Sequence, residues 1–146
     1  MARRPGITLI EVLIVLAIMM LLGGTTSLIS TQVLRNAEID RIRESIRSEL
    51  LIAQADSIAG TLDSAWGVAF TSDAITRYSG TSYAMRNPAY DRVTSFSNSS
   101  LLLTGTLDIA FVRPTGVPRT SGSIVVTDGS STATTTVTAG GAIEIQ

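Results

Sequence analysis

The sequence predicts an α+β fold in which a long N-terminal α-helix packs on an antiparallel β-sheet. Residues 7–59 contain no proline, and their apolar residues follow helical spacing. Beyond Gly60 this periodicity disappears, and the chain becomes rich in Ser and Thr. Short β-type runs appear there, separated by glycine, proline and Asp-Gly turns. The two halves of the chain therefore predict different secondary structure.

The first part of the predicted helix is apolar on all sides. Between Ile7 and Leu22 every side chain is apolar except Thr8 and Glu11. The run is somewhat shorter than the ~20 residues that span a bilayer, although the following residues extend it. A charged side chain at the bilayer centre costs about 2.5–3.5 kcal/mol, so Glu11 requires an explanation. Two ordinary interpretations of this N-terminus are a secretory signal and a plain signal anchor. In the signal anchor, the basic "MARRPG" would lie in the cytoplasm.

The second part of the predicted helix is amphipathic. Its apolar residues recur at steps of three and four: Ile39, Ile42, Ile46, Leu50 and Ala53. Charged residues off this stripe form i,i+3 pairs of opposite sign, which contribute a few tenths of a kcal/mol each: Glu38–Arg41, Asp40–Arg43 and Glu44–Arg47. Gly60 is the predicted end of the helix, because glycine adopts positive φ freely just past a last turn.

The C-terminal part is predicted to form short consecutive strands. The β-type runs are residues 66–70, 74–78, 100–112, 122–127, 134–139 and 142–146. Gly105 is expected to introduce a bulge or bend into the third of them. Residues 79–99 are predicted to form an irregular loop. Short connections favour an antiparallel meander, with the helical stripe covering one face.

Composition excludes several classes of function. The 146 residues include no cysteine and no histidine, all 11 basic residues are arginine, and the formal net charge is −1. No disulfide or thiolate metal site can form, and the usual nucleophile–base pairs of enzymes are absent. We therefore expect no catalytic residues, no metal and no cofactor. The scattered carboxylates of the C-terminal part are expected to be solvated: Asp63, Asp73, Asp91, Asp108, Asp128 and Glu144.

The stretch "RRPGITLIEVLIVLAIMMLL" resembles the class III signal of type IV prepilins and type II secretion pseudopilins. The resemblance implies that a prepilin peptidase removes a leader, Met1–Gly6, by cutting between Gly6 and Ile7. It further implies N-methylation of Ile7, and it makes Glu11 the fifth mature residue, which is Glu in that family. Ile7 departs from the usual Phe or Met. The domains expected are 1–6 as leader, 7–29 as transmembrane and filament-core helix, 30–60 as amphipathic helix and 61–146 as β-rich domain.

This resemblance gives Glu11 a physical role in filament assembly. A carboxylate among bundled apolar helices is unfavourable unless it is paired. Cleavage leaves a positive amine on Ile7, and the amine of a neighbouring subunit can pair with Glu11. Because breaking one half of such a pair costs about 3–5 kcal/mol, the pair selects one axial stagger of the helices. In the alternative, Glu11 pairs with the amine of its own chain, which lies at i,i+4.

The C-terminal stretch "LDIAFVRPTGVPRTSGSIVVTDGSSTATTTVTAGGAIEIQ" resembles the tail of FimT/GspH-type minor pilins and pseudopilins. It departs from them in lacking basic residues before the final glycine. Together the resemblances imply a structural subunit of a type IV pilus or type II secretion-like filament. Such a subunit lies first in the bacterial inner membrane, with its C-terminal domain outside. The partners implied are prepilin peptidase, other pilin or pseudopilin subunits, the inner-membrane assembly platform and membrane lipid.

Two alternative functions remain open at this stage. Some FimT-like proteins bind DNA, and Arg113 and Arg119 of the loop "RPTGVPR" are the candidate DNA contacts. Nucleic acid is nevertheless a minority expectation, because residues 61–146 contain six acidic residues against five arginines. The second alternative is a membrane-anchored or secreted β-domain that binds another ligand and carries an ordinary signal.

Overall fold

The computed structural model describes residues 8–96 and 101–146, except for the side chains of residues 22–35. Helix α1 comprises Leu9–Ala59. The chain divides into two compact units, and the boundary lies between Ala37 and Glu38. The strands all lie in the second unit. The predicted α+β class is confirmed, because α1 packs on antiparallel sheets there. The finer domain bounds stay predictions.

The strands of the described residues form two antiparallel sheets. A five-stranded sheet has the order β3-β2-β1-β5-β6, and a four-stranded sheet has the order β4-β7-β8-β9. The strands are β1 (Trp66–Phe70), β2 (Ala74–Ser79), β3 (Asn87–Ser95), β4 (Leu102–Gly105), β5 (Asp108–Val112), β6 (Val117–Pro118), β7 (Gly122–Thr127), β8 (Thr132–Val137) and β9 (Ile143–Ile145). Two short 3₁₀ segments, Thr61–Asp63 and Tyr83–Met85, precede β1 and β3.

The predicted helical stripe forms the centre of the core. All five of its residues are buried, and Ile46, Leu50 and Ala53 have no exposed surface. They share one hydrophobic cluster with residues of both sheets: Trp66, Val68, Phe70, Ile109 and Phe111 from the first, and Leu103, Ile124, Val126 and Val137 from the second. The three predicted i,i+3 ion pairs are also confirmed, at 2.9–3.8 Å.

The end of α1 is attached to both sheets by polar side chains. Buried Ser57 accepts a hydrogen bond from the Trp66 backbone N–H at 2.8 Å. Gln54 Nε2 donates to the carbonyls of Gly116 and Gly141, each at 2.9 Å. Gly60 then adopts φ +67°, which confirms it as the residue that ends the helix.

Two predictions about the sheet are wrong. Residues 87–95 of the predicted loop 79–99 form β3, an exposed edge strand that lacks the apolar alternation by which a strand is recognised. The single meander is replaced by two sheets, because the run 100–112 divides at Gly105. There φ is +104°, and the N–H of Thr106 donates to the Ser123 carbonyl at 2.9 Å. The chain thus leaves one sheet and enters the other, so the predicted break at Gly105 is confirmed.

Candidate functional site

The N-terminal unit presents an apolar helical surface. From Leu9 to Leu21 every side chain is exposed, and Glu11 is the one charged residue of that range. We call the stretch Leu9–Leu21 the apolar segment. Its large apolar side chains are between 48% and 79% exposed. Soluble monomers rarely expose contiguous apolar surface of this kind, which marks a contact with a protein partner or a membrane.

That residues 7–29 span a membrane stays a prediction. Within the helical residues whose side chains are described, no stretch combines the length and the apolar content needed to cross a membrane.

Glu11 lies in the first turn of α1, three residues after Thr8. Backbone N–H groups of Glu11 and Val12 donate to the Thr8 carbonyl at 3.1 and 3.3 Å. The Thr-x-x-Glu spacing is that of a capping box, and a carboxylate in a first turn interacts favourably with the helix dipole. The spacing makes helix capping a second candidate role for Glu11, and it is readable in the sequence alone. Gly6 and Ile7, the predicted cleavage and methylation residues, lie outside the described residues.

Arg77 of β2 connects the five-stranded sheet to α1. Its Nη1 donates to Asp56 Oδ2 at 2.7 Å, and its Nε lies 3.1 Å from Glu49 Oε2 in an ion pair. Its guanidinium carbon lies 5.8 Å from the ring centroid of Trp66. Since the Arg77 side chain is only 17% exposed, it is a structural anchor and not a free phosphate-binding group.

A second polar cluster surrounds Tyr78. This buried residue packs with Ala69 and Ala110, and its hydroxyl donates a short hydrogen bond to Asp108. The other oxygen of Asp108 accepts from the Tyr83 backbone N–H at 3.0 Å. Burial, followed by the contact with Asp108, raises the pKa of Tyr78 well above its ordinary value. The hydroxyl, which is protonated at neutral pH like that of any tyrosine, therefore stays protonated and donating well above that pH.

Arg86 holds the segment Tyr83–Met85 in place. Its Nε donates to Asp91 Oδ2 and its Nη1 to the Tyr83 carbonyl, each at 2.8 Å. Its guanidinium carbon also lies 3.8 Å from the Tyr83 ring centroid. The hydrogen bond to Asp91 raises the pKa of Arg86. Neither the Tyr78 nor the Arg86 cluster was foreseen from the sequence, because both join residues from separate elements.

The two candidate DNA contacts lie at the ends of short strands. Arg113 follows β5 and Arg119 follows β6, and both are exposed. Arg113 Nη1 lies 2.5 Å from Asp63 Oδ1, so its charge is partly balanced. None of the ion pairs between described residues includes Arg92 or Arg119. Three of the five arginines of this region are thus engaged, and DNA contact stays a prediction.

The predicted carboxylates are distributed over different elements. Asp128 Oδ1 accepts hydrogen bonds from the backbone N–H groups of Ser130 and Ser131, which closes the hairpin between β7 and β8. Among the residues that the structure describes, no group of three or more His, Cys, Asp or Glu side chains could hold a metal ion.

The comparisons with known proteins concern the N-terminus. Residues 1–27 match the family model of the prokaryotic N-terminal methylation motif. The chain carries this methylation motif. Gly6, Ile7 and Glu11 all fall within the matched range, and the class III signal expected from the sequence is confirmed. No curated protein and no solved structure gave a significant match.

The methylation motif supports a type IV pilin-like prepilin and is consistent with the pilin and pseudopilin family. Its match ends at residue 27, whereas the globular unit begins at Glu38. The resemblance of the C-terminal part to FimT/GspH-type proteins therefore stays a prediction.

Proposed function

We propose that this chain is a structural subunit, a minor pilin or pseudopilin, of a type IV pilus or type II secretion-like filament. The observation that carries the proposal is the exposed apolar segment with its single carboxylate, lying within the methylation motif. Bulk water is an unfavourable environment for such a surface. Lipid and a bundle of apolar helices are both favourable, so transfer from one to the other is feasible.

Processing creates a charged partner for Glu11. Prepilin peptidase cleaves between Gly6 and Ile7, and Ile7 is then N-methylated but keeps its positive charge. In the filament core the amine of a neighbouring Ile7 pairs with Glu11, which offsets the cost of removing the carboxylate from water. Apolar packing alone does not distinguish between axial staggers. The charge pair therefore selects the register of one subunit against the next.

The subunit first resides in the inner membrane, with the basic leader in the cytoplasm and residues 38–146 outside. Its partners there are the peptidase, the assembly platform and lipid, and later other pilin or pseudopilin subunits. The sheets of the second unit present the outer surface and determine which neighbours fit. This is a binding and scaffolding role, not a catalytic one.

The alternatives have less support. A DNA-binding minor pilin requires several free cations, but Arg77, Arg86 and Arg113 are held by carboxylates, and among the described residues only Arg92 and Arg119 of this region have no ion pair. A secreted β-domain with an ordinary signal does not account for the methylation motif.

Substitutions at Glu11 test the proposal. Glu11→Ala removes both the charge and the capping spacing, whereas Glu11→Gln keeps the spacing and removes only the charge. We expect both variants to be processed to a mature chain that begins with methylated Ile7, and both to be depleted from filaments at least about tenfold, as expected for a lost buried charge pair. Intact mass measures processing, and immunoblots of sheared filaments measure incorporation.

The two variants separate the two candidate roles of Glu11. If Glu11→Gln assembles normally and Glu11→Ala does not, the residue acts as a helix cap and the charge-pair mechanism is wrong. If wild-type material begins near Gly24 or Thr25, the N-terminal helix is discarded and the proposed function itself is wrong.

A further inference from the structure

Strand β3 is a long, exposed edge of the five-stranded sheet. It has nine residues, whereas the other edge strands of the described residues, β4, β6 and β9, have four, two and three. Every side chain of β3 except Asp91 is exposed. Within the described part of the chain, no strand pairs with the side of β3 that faces away from β2. Because proteins usually keep free edges short or cover them, an edge of this length is a candidate docking surface.

Arg92 carries a charge without a counter-charge near the middle of this edge. None of the ion pairs between described residues includes it. It lies opposite Arg77 in the register with β2, so the two side chains are on the α1 side of the sheet. Arg77 is already held by two carboxylates, and Asp91 is held by Arg86.

This free charge selects among the strands that could add to the edge. A strand that placed an apolar residue opposite Arg92 would remove the guanidinium from water without a partner, and a basic residue there would repel it. An acidic residue would pair with it. The edge is therefore protected against most strands and open to one with an acidic side chain at this position.

A cavity of about 500 Å³ lies beside the start of β3. Three large apolar or aromatic side chains around it are exposed, namely Leu62, Met85 and Tyr90, and polar groups complete its lining. Tyr90 precedes Arg92 by two residues. Since alternate side chains of a strand lie on one face, the residue of an added strand two positions from the acidic one would lie opposite Tyr90, beside this cavity. A large apolar or aromatic side chain would fill it.

A second cavity, of about 450 Å³, lies between α1 and the end of β3. Its lining is polar and comprises Arg41, Glu44, Ser45, Ser48, Glu49 and Thr94. Thr94 follows Arg92 by two residues, and its hydroxyl donates to Glu49 Oε1 at 3.5 Å. A residue opposite Thr94 on an added strand would therefore meet hydroxyl and charged groups, and a polar side chain fits there.

We propose that β3 is the docking edge for an extended segment of another protein, which adds to the five-stranded sheet as an antiparallel strand. In chain order, alternate residues of that segment are polar, acidic and large apolar or aromatic, opposite Thr94, Arg92 and Tyr90. Backbone hydrogen bonds to the edge supply affinity, and the three side-chain positions supply specificity. The inference goes beyond the proposed function, because it concerns the second unit alone.

A peptide library tests this sequence preference directly. The probe is a phage-displayed library of nine-residue peptides with Thr, which favours strands, at six positions and all amino acids at positions 3, 5 and 7. It is selected on the full-length protein held in detergent micelles. We expect enrichment of Asp or Glu at position 5 and of a large apolar or aromatic residue at position 7.

Charge reversal at Arg92 supplies the specific control. With Arg92→Glu, the preference at position 5 should change to Arg or Lys, and the wild-type peptide should bind on the order of tenfold more weakly. Arg92→Gln should lose the acidic preference without gaining a basic one. The matched control is Arg119→Glu, which makes the same charge change at an exposed arginine away from this edge and should leave the preference unchanged. Because Arg92 is exposed, unchanged urea midpoints are expected for its variants.

Hydrogen exchange identifies the docking edge. With an enriched peptide bound, amides of residues 87–95 that point away from β2 should exchange at least about tenfold more slowly. The inference is overturned if no peptide is enriched, if Arg92→Glu selects the same peptides as wild type, or if the protection lies outside residues 87–95. Protection of β3 that instead rises with protein concentration, without peptide, would show pairing with a second copy and would also overturn it.

Discussion

Removal of the Arg77 side-chain charge should destabilise the second unit strongly. In Arg77→Met the alkyl stem is retained, but Glu49 and Asp56 lose their shared cation. These carboxylates are only 18% and 26% exposed. Breaking a buried pair costs about 3–5 kcal/mol and breaking an exposed pair about 0–1 kcal/mol. For this partly screened site we expect a loss of about 2–3 kcal/mol in the free energy of unfolding.

The measurement is urea denaturation followed by far-UV circular dichroism and by fluorescence of Trp66, the one tryptophan of the chain. Arg47→Met is the matched control, because Arg47 pairs with Glu44 at 43% and 64% exposure and should cost less than about 0.5 kcal/mol. The triple variant Arg77→Met, Glu49→Gln, Asp56→Asn leaves no unpaired charge and should recover most of the loss. A triple variant no more stable than Arg77→Met would refute the reasoning.

Two further predictions concern the face of the sheet around Tyr78. Gly67→Ala should cost about 1–3 kcal/mol, because a Cβ there would lie 2.5 Å from Tyr78 Oη and 2.8 Å from the Ile109 carbonyl. Gly140→Ala, whose Cβ meets no atom closer than 4.0 Å, is its control in the same urea titration. The raised pKa of Tyr78 predicts stability that is complete below the unfolded value of 10.0 and declines as pH rises above it. Urea midpoints between about pH 8 and 11 should show this decline, and in Tyr78→Phe it should be smaller; equal slopes would contradict the assignment.

The helical half of the fold could be predicted because its signals are local. The spacing of Ile39, Ile46 and Leu50 is a property of consecutive turns, and the positive φ of Gly60 follows from its own lack of a side chain. The i,i+3 ion pairs are likewise set by helix geometry alone. For these features, neighbours in sequence are neighbours in space.

The sheet was less predictable because its pairing is not local. β3 is exposed along almost its whole length and is stabilised by backbone pairing with β2, so its side chains show no apolar alternation. Similarly, β1 pairs with β5, about forty residues away, a partner that turn signals do not specify. The Arg77 anchor joins residues 21 and 28 positions apart and has no sequence signature.

The exposed side of α1 near its end is apolar, at Leu51, Ile52, Ala55, Ile58 and Ala59. This was readable in the sequence, and it was missed for a physical reason. Amphipathic analysis assigns one apolar side to the core and takes the other as solvated, and residues 38–48 obey this rule. Residues 51–59 do not obey it, because α1 is apolar on both sides there. The apolar segment, Leu9–Leu21, is likewise apolar on all sides, and it contains one carboxylate, Glu11. Among the described residues these apolar side chains are exposed, and the proposed function pairs Glu11 with the newly exposed amine of a second subunit. On the proposed function, the molecule is one repeat of an assembly and not a self-sufficient domain.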